Sequence, residues 1–87
     1  MEMRKMRREG VIAIPDTSTK DKNFACKYEI EYYKRNSKKY GIEGGKVHKL
    51  IIKKDDELTA EYDKGWIKEI DDEVTKLAFY ILMYSHN

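Results

Sequence analysis

Residues 40–50, YGIEGGKVHKL, bring three glycines and a lysine together where a phosphate could be held, and spacing tests that chemistry. A phosphate-binding P-loop needs four residues between its first glycine and the Gly-Lys pair, then Ser or Thr, then a helix whose first amides face the phosphates. Here three residues separate Gly41 from Gly45, Val47 follows Lys46, and the continuation VHKLIIKK has the composition of a strand. The glycines instead suit positive φ angles in a turn or bulge. Asp55, Asp56 and Glu57 could act as paired acid and base, but at a solvated hairpin tip nothing raises one carboxyl above its ordinary range. His48 and His86 have no Cys, His or carboxylate at a recognised ligand spacing, so no metal is expected. Cys26, the single cysteine, falls on the apolar side of an alternating run and reads as a buried thiol rather than a nucleophile. These residues point to no catalysis and no cofactor.

The elements that position them follow from periodicity. FACKYEIEYY alternates Phe24, Cys26, Tyr28, Ile30 and Tyr32 with Ala25, Lys27, Glu29, Glu31 and Tyr33, a half-buried strand. GVIAIP is a shorter apolar run stopped by Pro15, and PDTSTKDKN is a polar connection. VHKLIIKK and ELTAEYDKG form a hairpin whose register is arguable. A two-residue loop would set Leu50 opposite Glu61 and mix the faces. A three-residue loop sets Leu50 opposite Tyr62, Ile52 opposite Ala60 and Lys49 opposite Asp63, which sorts them. Asp71 then caps a C-terminal helix whose Val74, Leu77, Ala78, Ile81 and Tyr84 share a face, with Asp72 and Glu73 at its positive end. The expected fold is α+β: a four-stranded antiparallel sheet with one helix across one face, ββββα, in two layers. Trp66 plugs the edge of that core.

Charge is unevenly spread. Residues 1–54 carry 15 Lys and Arg against 7 Asp and Glu, or +8, whereas residues 55–87 carry 3 against 9, or −6. Folding the halves together would neutralise the asymmetry internally; leaving them apart would create a nucleic-acid surface. The candidate contacts for that alternative are Arg4, Lys5, Arg7 and Arg8 in a basic arm at residues 1–9, and Lys34, Arg35, Lys38 and Lys39 in a loop. The sheet face itself interleaves Lys27, Lys49 and Lys53 with Glu29, Glu31, Glu61 and Asp63, which favours cross-strand pairing. One domain at residues 10–87, no membrane span and a cytoplasmic setting complete the expectation.

Residues 40–66, YGIEGGKVHKLIIKKDDELTAEYDKGW, resemble a family of small, functionally uncharacterised proteins of Firmicutes and their prophages and mobile elements. The resemblance rests on a Gly-Ile-x-Gly-Gly turn and a Tyr-Asp-Lys-Gly-Trp motif, here Gly41, Gly44, Gly45, Tyr62, Asp63, Gly65 and Trp66. The chain departs from the pattern with Asp56 where glycine is expected and Ile67 where an acid is usual. The resemblance implies this architecture and a mobile-element setting, with no activity attached. The resulting expectation is a small accessory protein that binds another protein or itself as a homodimer. With the apolar helix face turned inward, Phe79 and Met83 project outward one turn apart as its candidate interface.

Overall fold

The computed structural model describes residues 5–16, 18 and 22–87. The strands β1 (Lys5–Pro15), β2 (Asn23–Tyr33), β3 (Val47–Lys54), β4 (Glu57–Asp63) and β5 (Trp66–Lys68) form one antiparallel sheet in chain order, followed by α1 (Glu73–His86). The sheet therefore has five strands rather than four. β5 is three exposed residues, too short to show alternation in the sequence. Lys5 and the residues after it in the basic segment are part of β1, where Lys5 pairs Tyr33 and Glu9 pairs Glu29. Arg4 lies outside the described residues.

Burial separates the two faces of the sheet. Ile14, Cys26, Ile30, Leu50, Ile52, Ala60 and Tyr62 turn toward α1 and meet Ala78 and Leu82, with Ile42 closing the end of the core. The hairpin of β3 and β4 has the expected register, Lys49 opposite Asp63, Leu50 opposite Tyr62 and Ile52 opposite Ala60, but it reaches it differently. The turn is Asp55 and Asp56 alone, both left-handed at φ 48° and 70°, as a tight type I′ turn requires. Lys54 then pairs Glu57 and Lys53 pairs Leu58, and the register shifts before Ile52, leaving Thr59 as the extra residue of a β-bulge. Face sorting fixed the register, while bulge and turn shared the work assigned to a longer loop. Asp56, where the resemblance leads glycine to be expected, is left-handed, a conformation glycine adopts without strain.

Candidate functional site

The bulge also places α1. Thr59 and Ala60 are both buried, and the Thr59 hydroxyl accepts a hydrogen bond of 2.8 Å from the hydroxyl of Thr75, itself fully buried under the helix. Asp72, not Asp71, is the cap: its backbone is extended and its carboxylate accepts from the Thr75 amide at 2.9 Å. Burial pushes the Asp72 carboxyl up, but hydrogen bonds from Thr75 and the Lys54 ammonium outweigh it and hold it below its ordinary value. At the other end, the Asn87 side chain accepts from the Val47 amide at 2.9 Å and donates to the Ile42 carbonyl at 3.1 Å. The helix is thus latched at both ends by polar contacts.

These latches rotate α1 away from the expected orientation. Its fully buried residues are Thr75, Ala78 and Leu82, with Val74, Phe79 and Met83 packed partly against the core. Leu77 is 49% exposed, Ile81 47% and Tyr84 96%, so three residues expected inside are outside; Tyr80, at 54%, joins them. Phe79 and Met83, expected outside, face the core. The difference is on the order of one residue's turn, about 100°. The cause is that VTKLAFYILMY is apolar around most of its circumference, so hydrophobic period alone leaves the inner face undetermined. The signal that settles it is a polar one, the Thr59–Thr75 pair.

The outer face of α1 therefore carries Leu77, Tyr80, Ile81 and Tyr84, at positions i, i+3, i+4 and i+7, beginning one turn after Glu73. An open groove of about 620 Å³ runs alongside, walled by Trp66, Phe79 and Tyr80 and rimmed by Glu43, Glu69, Asp71, Glu73 and Lys76. Trp66 stands edge-on to Tyr62 at 5.2 Å and tilted against Phe79 at 5.7 Å, so it closes the sheet edge with one side in solvent.

The cations separate into two groups. Arg7 on β1 is held by Glu29 and, at 3.2 Å, by Glu9, whose negative charges raise its pKa. Lys49 pairs Glu31 at 3.7 Å and Lys27 pairs Asp56 at 3.0 Å. Arg8 is instead drawn to Tyr32. Lys34, Arg35, Lys38 and Lys39 follow β2 and are exposed, with no ion pair among the described residues, although Lys39 lies over the Tyr40 ring at 5.3 Å. Because Lys5 pairs Tyr33 across the sheet, it joins them at the same end of the molecule.

The Gly41–Gly45 segment is a structural lock. It holds a single 3-10 turn, Ile42–Gly44, not the helix start a phosphate would need. Of its glycines only Gly44 has a positive φ, and Glu43 before it is also left-handed at φ 51°. Gly41 is glycine for closeness, since a Cβ there would lie 1.8 Å from the Gly45 carbonyl oxygen and 2.8 Å from that of Ser37. Tyr62 donates from its hydroxyl to the Tyr40 carbonyl at 3.0 Å, tying the motif's second half to its first. Asp63 and Gly65 make the next turn through the Asp63 amide and the Gly65 carbonyl at 2.9 Å. The titratable groups are set for burial rather than chemistry. Cys26 is fully buried, and burial pushes its thiol up. His48 is 2% exposed, stacked on Tyr33 at 4.0 Å, and burial holds its pKa below the usual value. Among the described residues, no three His, Cys, Asp or Glu converge as a metal site.

A family model described as "Domain of unknown function (DUF7678)" matches residues 6–87, and the chain belongs to that family. No curated protein and no solved structure matches it.

Proposed function

Because membership of that family assigns no activity, we propose a function from the surfaces: a small non-catalytic accessory protein that works by binding another protein or a second copy of itself through the outer face of α1. One observation carries this reading, the row Leu77, Tyr80, Ile81 and Tyr84 left in solvent on a helix whose other side is already packed. Scattered surface apolar residues need no explanation, but four on one helical face make a contiguous patch of the kind that marks interaction sites. The Gly-Ile-x-Gly-Gly and Tyr-Asp-Lys-Gly-Trp motifs support a prophage or mobile-element setting, and the buried single thiol suits a cytoplasmic one. Among the described residues, no helix is long and apolar enough to cross a membrane. The test is in-cell photo-crosslinking from position 84 on the helix and, as a control, from position 53 on the open sheet face. Protein adducts are expected from 84 and few from 53; equal yields, or none, would sink the reading.

A second reading, nucleic-acid binding, is favoured by the unpaired cluster of Lys34, Arg35, Lys38 and Lys39 with Lys5 at one end of the sheet. It requires submicromolar duplex binding that weakens steeply with salt and is lost when the loop cations are neutralised. Under the first reading, duplex binding stays at the non-specific level, about 10⁻⁴ to 10⁻⁶ M at physiological salt.

A further inference from the structure

We propose that the outer face of α1 is covered by a second copy of this chain, the two helices antiparallel about a two-fold axis, with the acidic start of each helix facing the basic loop beside the end of the other. The inference rests on the reading that this face binds protein, and it commits that reading to one occupant and one orientation.

Charge supplies the argument. Of the five ion pairs among the described residues, only Lys27–Asp56 and Lys54–Asp72 join the basic first part of the chain to the acidic last part. Internal complementarity therefore leaves most of the asymmetry standing. Glu69, Asp71 and Glu73 have no cation partner, and Lys34, Arg35 and Lys38 have no carboxylate partner, among the described residues.

The two unpaired groups lie at opposite ends of α1. The helix start is fixed beside the β3–β4 turn by Lys54–Asp72 at 3.3 Å and Thr59–Thr75. Its end is fixed beside the basic loop by Asn87, which reaches Ile42, and the backbone of Lys38 in that loop lies against Gly44. In a two-fold interface, whatever one copy offers at one end it meets at the other. Antiparallel helices then bring acids onto cations at both ends and oppose the helix dipoles, whereas parallel helices set acid against acid. Leu77, Tyr80, Ile81 and Tyr84, at i, i+3, i+4 and i+7, give the apolar stripe such a pair needs. A 14-residue helix is about 21 Å long and about 10 Å wide, well short of the ~800 Å² per partner of a stable complex. The loops must therefore take part, and the dimer should be salt-sensitive.

Sedimentation equilibrium of the whole chain from about 1 to 500 µM tests the proposal, with circular dichroism reporting the fold of every variant. The wild type should dimerise, and more weakly in 1 M salt. Ile81→Asp should leave a folded monomer. The pair Lys38→Glu with Lys39→Glu, and separately Glu69→Lys with Glu73→Lys, should each weaken self-association at least about tenfold. An equimolar mixture of the two should restore it, because each end of the mixed dimer again joins acid to cation. A monomeric wild type at 500 µM, a dimer indifferent to Ile81→Asp, or reversal variants that stay apart on mixing would each overturn the proposal. A monomer whose position 84 still crosslinks to a different protein overturns the second copy alone; the absence of any adduct overturns the binding face itself.

Discussion

The two outward surfaces of this fold, the open face of the sheet and the outer face of α1, are both mixtures of charge and apolar carbon, yet they differ in what they leave unsatisfied. On the sheet, alternation and antiparallel pairing place opposite charges side by side, so Arg7 meets Glu29, Lys49 meets Glu31 and Lys27 meets Asp56. On the helix, Leu77, Tyr80, Ile81 and Tyr84 share one face, with Glu69, Asp71 and Glu73 near its start and the basic loop of residues 34–39 beside its end. The sheet face thus meets several of its charges within the chain, although Lys53, Glu61 and Asp63 have no ion pair among the described residues. On the proposed reading, the helix face is satisfied by another molecule. A binding surface is thus recognised by what remains unpaired after the chain has paired what it can, and neither net charge nor apolar content shows that.

The largest test of this contrast uses two neighbours in sequence. Leu82 is buried against the sheet and Ile81 is half-exposed on the outer side. In protein dilute enough to be monomeric, Leu82→Ala should cost about 2–4 kcal/mol, the loss of a packed side chain plus the cavity it leaves. Ile81→Ala should stay within about 0.5 kcal/mol. Urea denaturation of both variants measures this, and similar losses would mean that the helix has no free face.

The same pair of residues shows how far the sequence could be read. The α+β class, the order of β1 to β4 and the Leu50–Tyr62 register follow from alternation, because a one-residue slip there exposes every apolar side chain at once. Nothing comparable fixes the rotation of α1. Turning it by one residue exchanges Ile81 for Leu82 and Tyr80 for Phe79, apolar for apolar. The decision falls to Thr75 and Thr59, which find each other only once the bulge exists. β5 escapes for a related reason, since Trp66, Ile67 and Lys68 are all exposed and carry no pattern. The unpaired cations of residues 34–39 were visible as a cluster, but their place beside the end of α1 depends on the Asn87 latch.

The sheet side of the comparison has a buried histidine, and pH tests it. His48 lies against Tyr33, neither ring nitrogen has a hydrogen-bond partner among the described residues, and the charges acting on it are Glu31, Lys5, Lys64 and Asp63. Its folded pKa is lowered, chiefly by burial, so between the folded value and about 6.5 the unfolded chain binds more protons. Stability is complete above about pH 6.5 and falls as pH drops through that window, by up to about 1.4 kcal/mol per unit. Asp72 acts lower: its lowered pKa gives stability present above about pH 3.9 and lost as pH falls through its folded value. His48→Phe should remove the upper loss, leave the lower one, and change stability at pH 7.5 by no more than about 1 kcal/mol, because the ring it replaces makes no hydrogen bond. Urea midpoints at pH 7.5, 6 and 5 decide it; an unchanged slope in the variant would assign the acid sensitivity elsewhere.

The smallest effect concerns how much the ion pairs of the open face contribute. Asp56 takes part in one of them, with Lys27 at 3.0 Å, and both side chains are largely exposed. An exposed pair of this kind stabilises by about 0–1 kcal/mol. The same residue is held in the left-handed region at φ 70°, which costs a side-chain-bearing residue about 1–2 kcal/mol and glycine almost nothing, although Asp tolerates it better than most. Asp56→Gly removes both terms, so thermal or urea unfolding should show a neutral to slightly stabilised protein, with a gain below about 1 kcal/mol. Asp56→Asn keeps much of the tolerance for the left-handed turn and deletes only the charge, so it isolates the pair and should lose less than about 0.5 kcal/mol at physiological salt. A loss above about 1 kcal/mol in both variants would make the ion pairs of the sheet face a principal source of stability. The sheet face would then be held by its charges rather than merely neutralised by them, and the contrast with the helix face would be one of strength as well as of satisfaction.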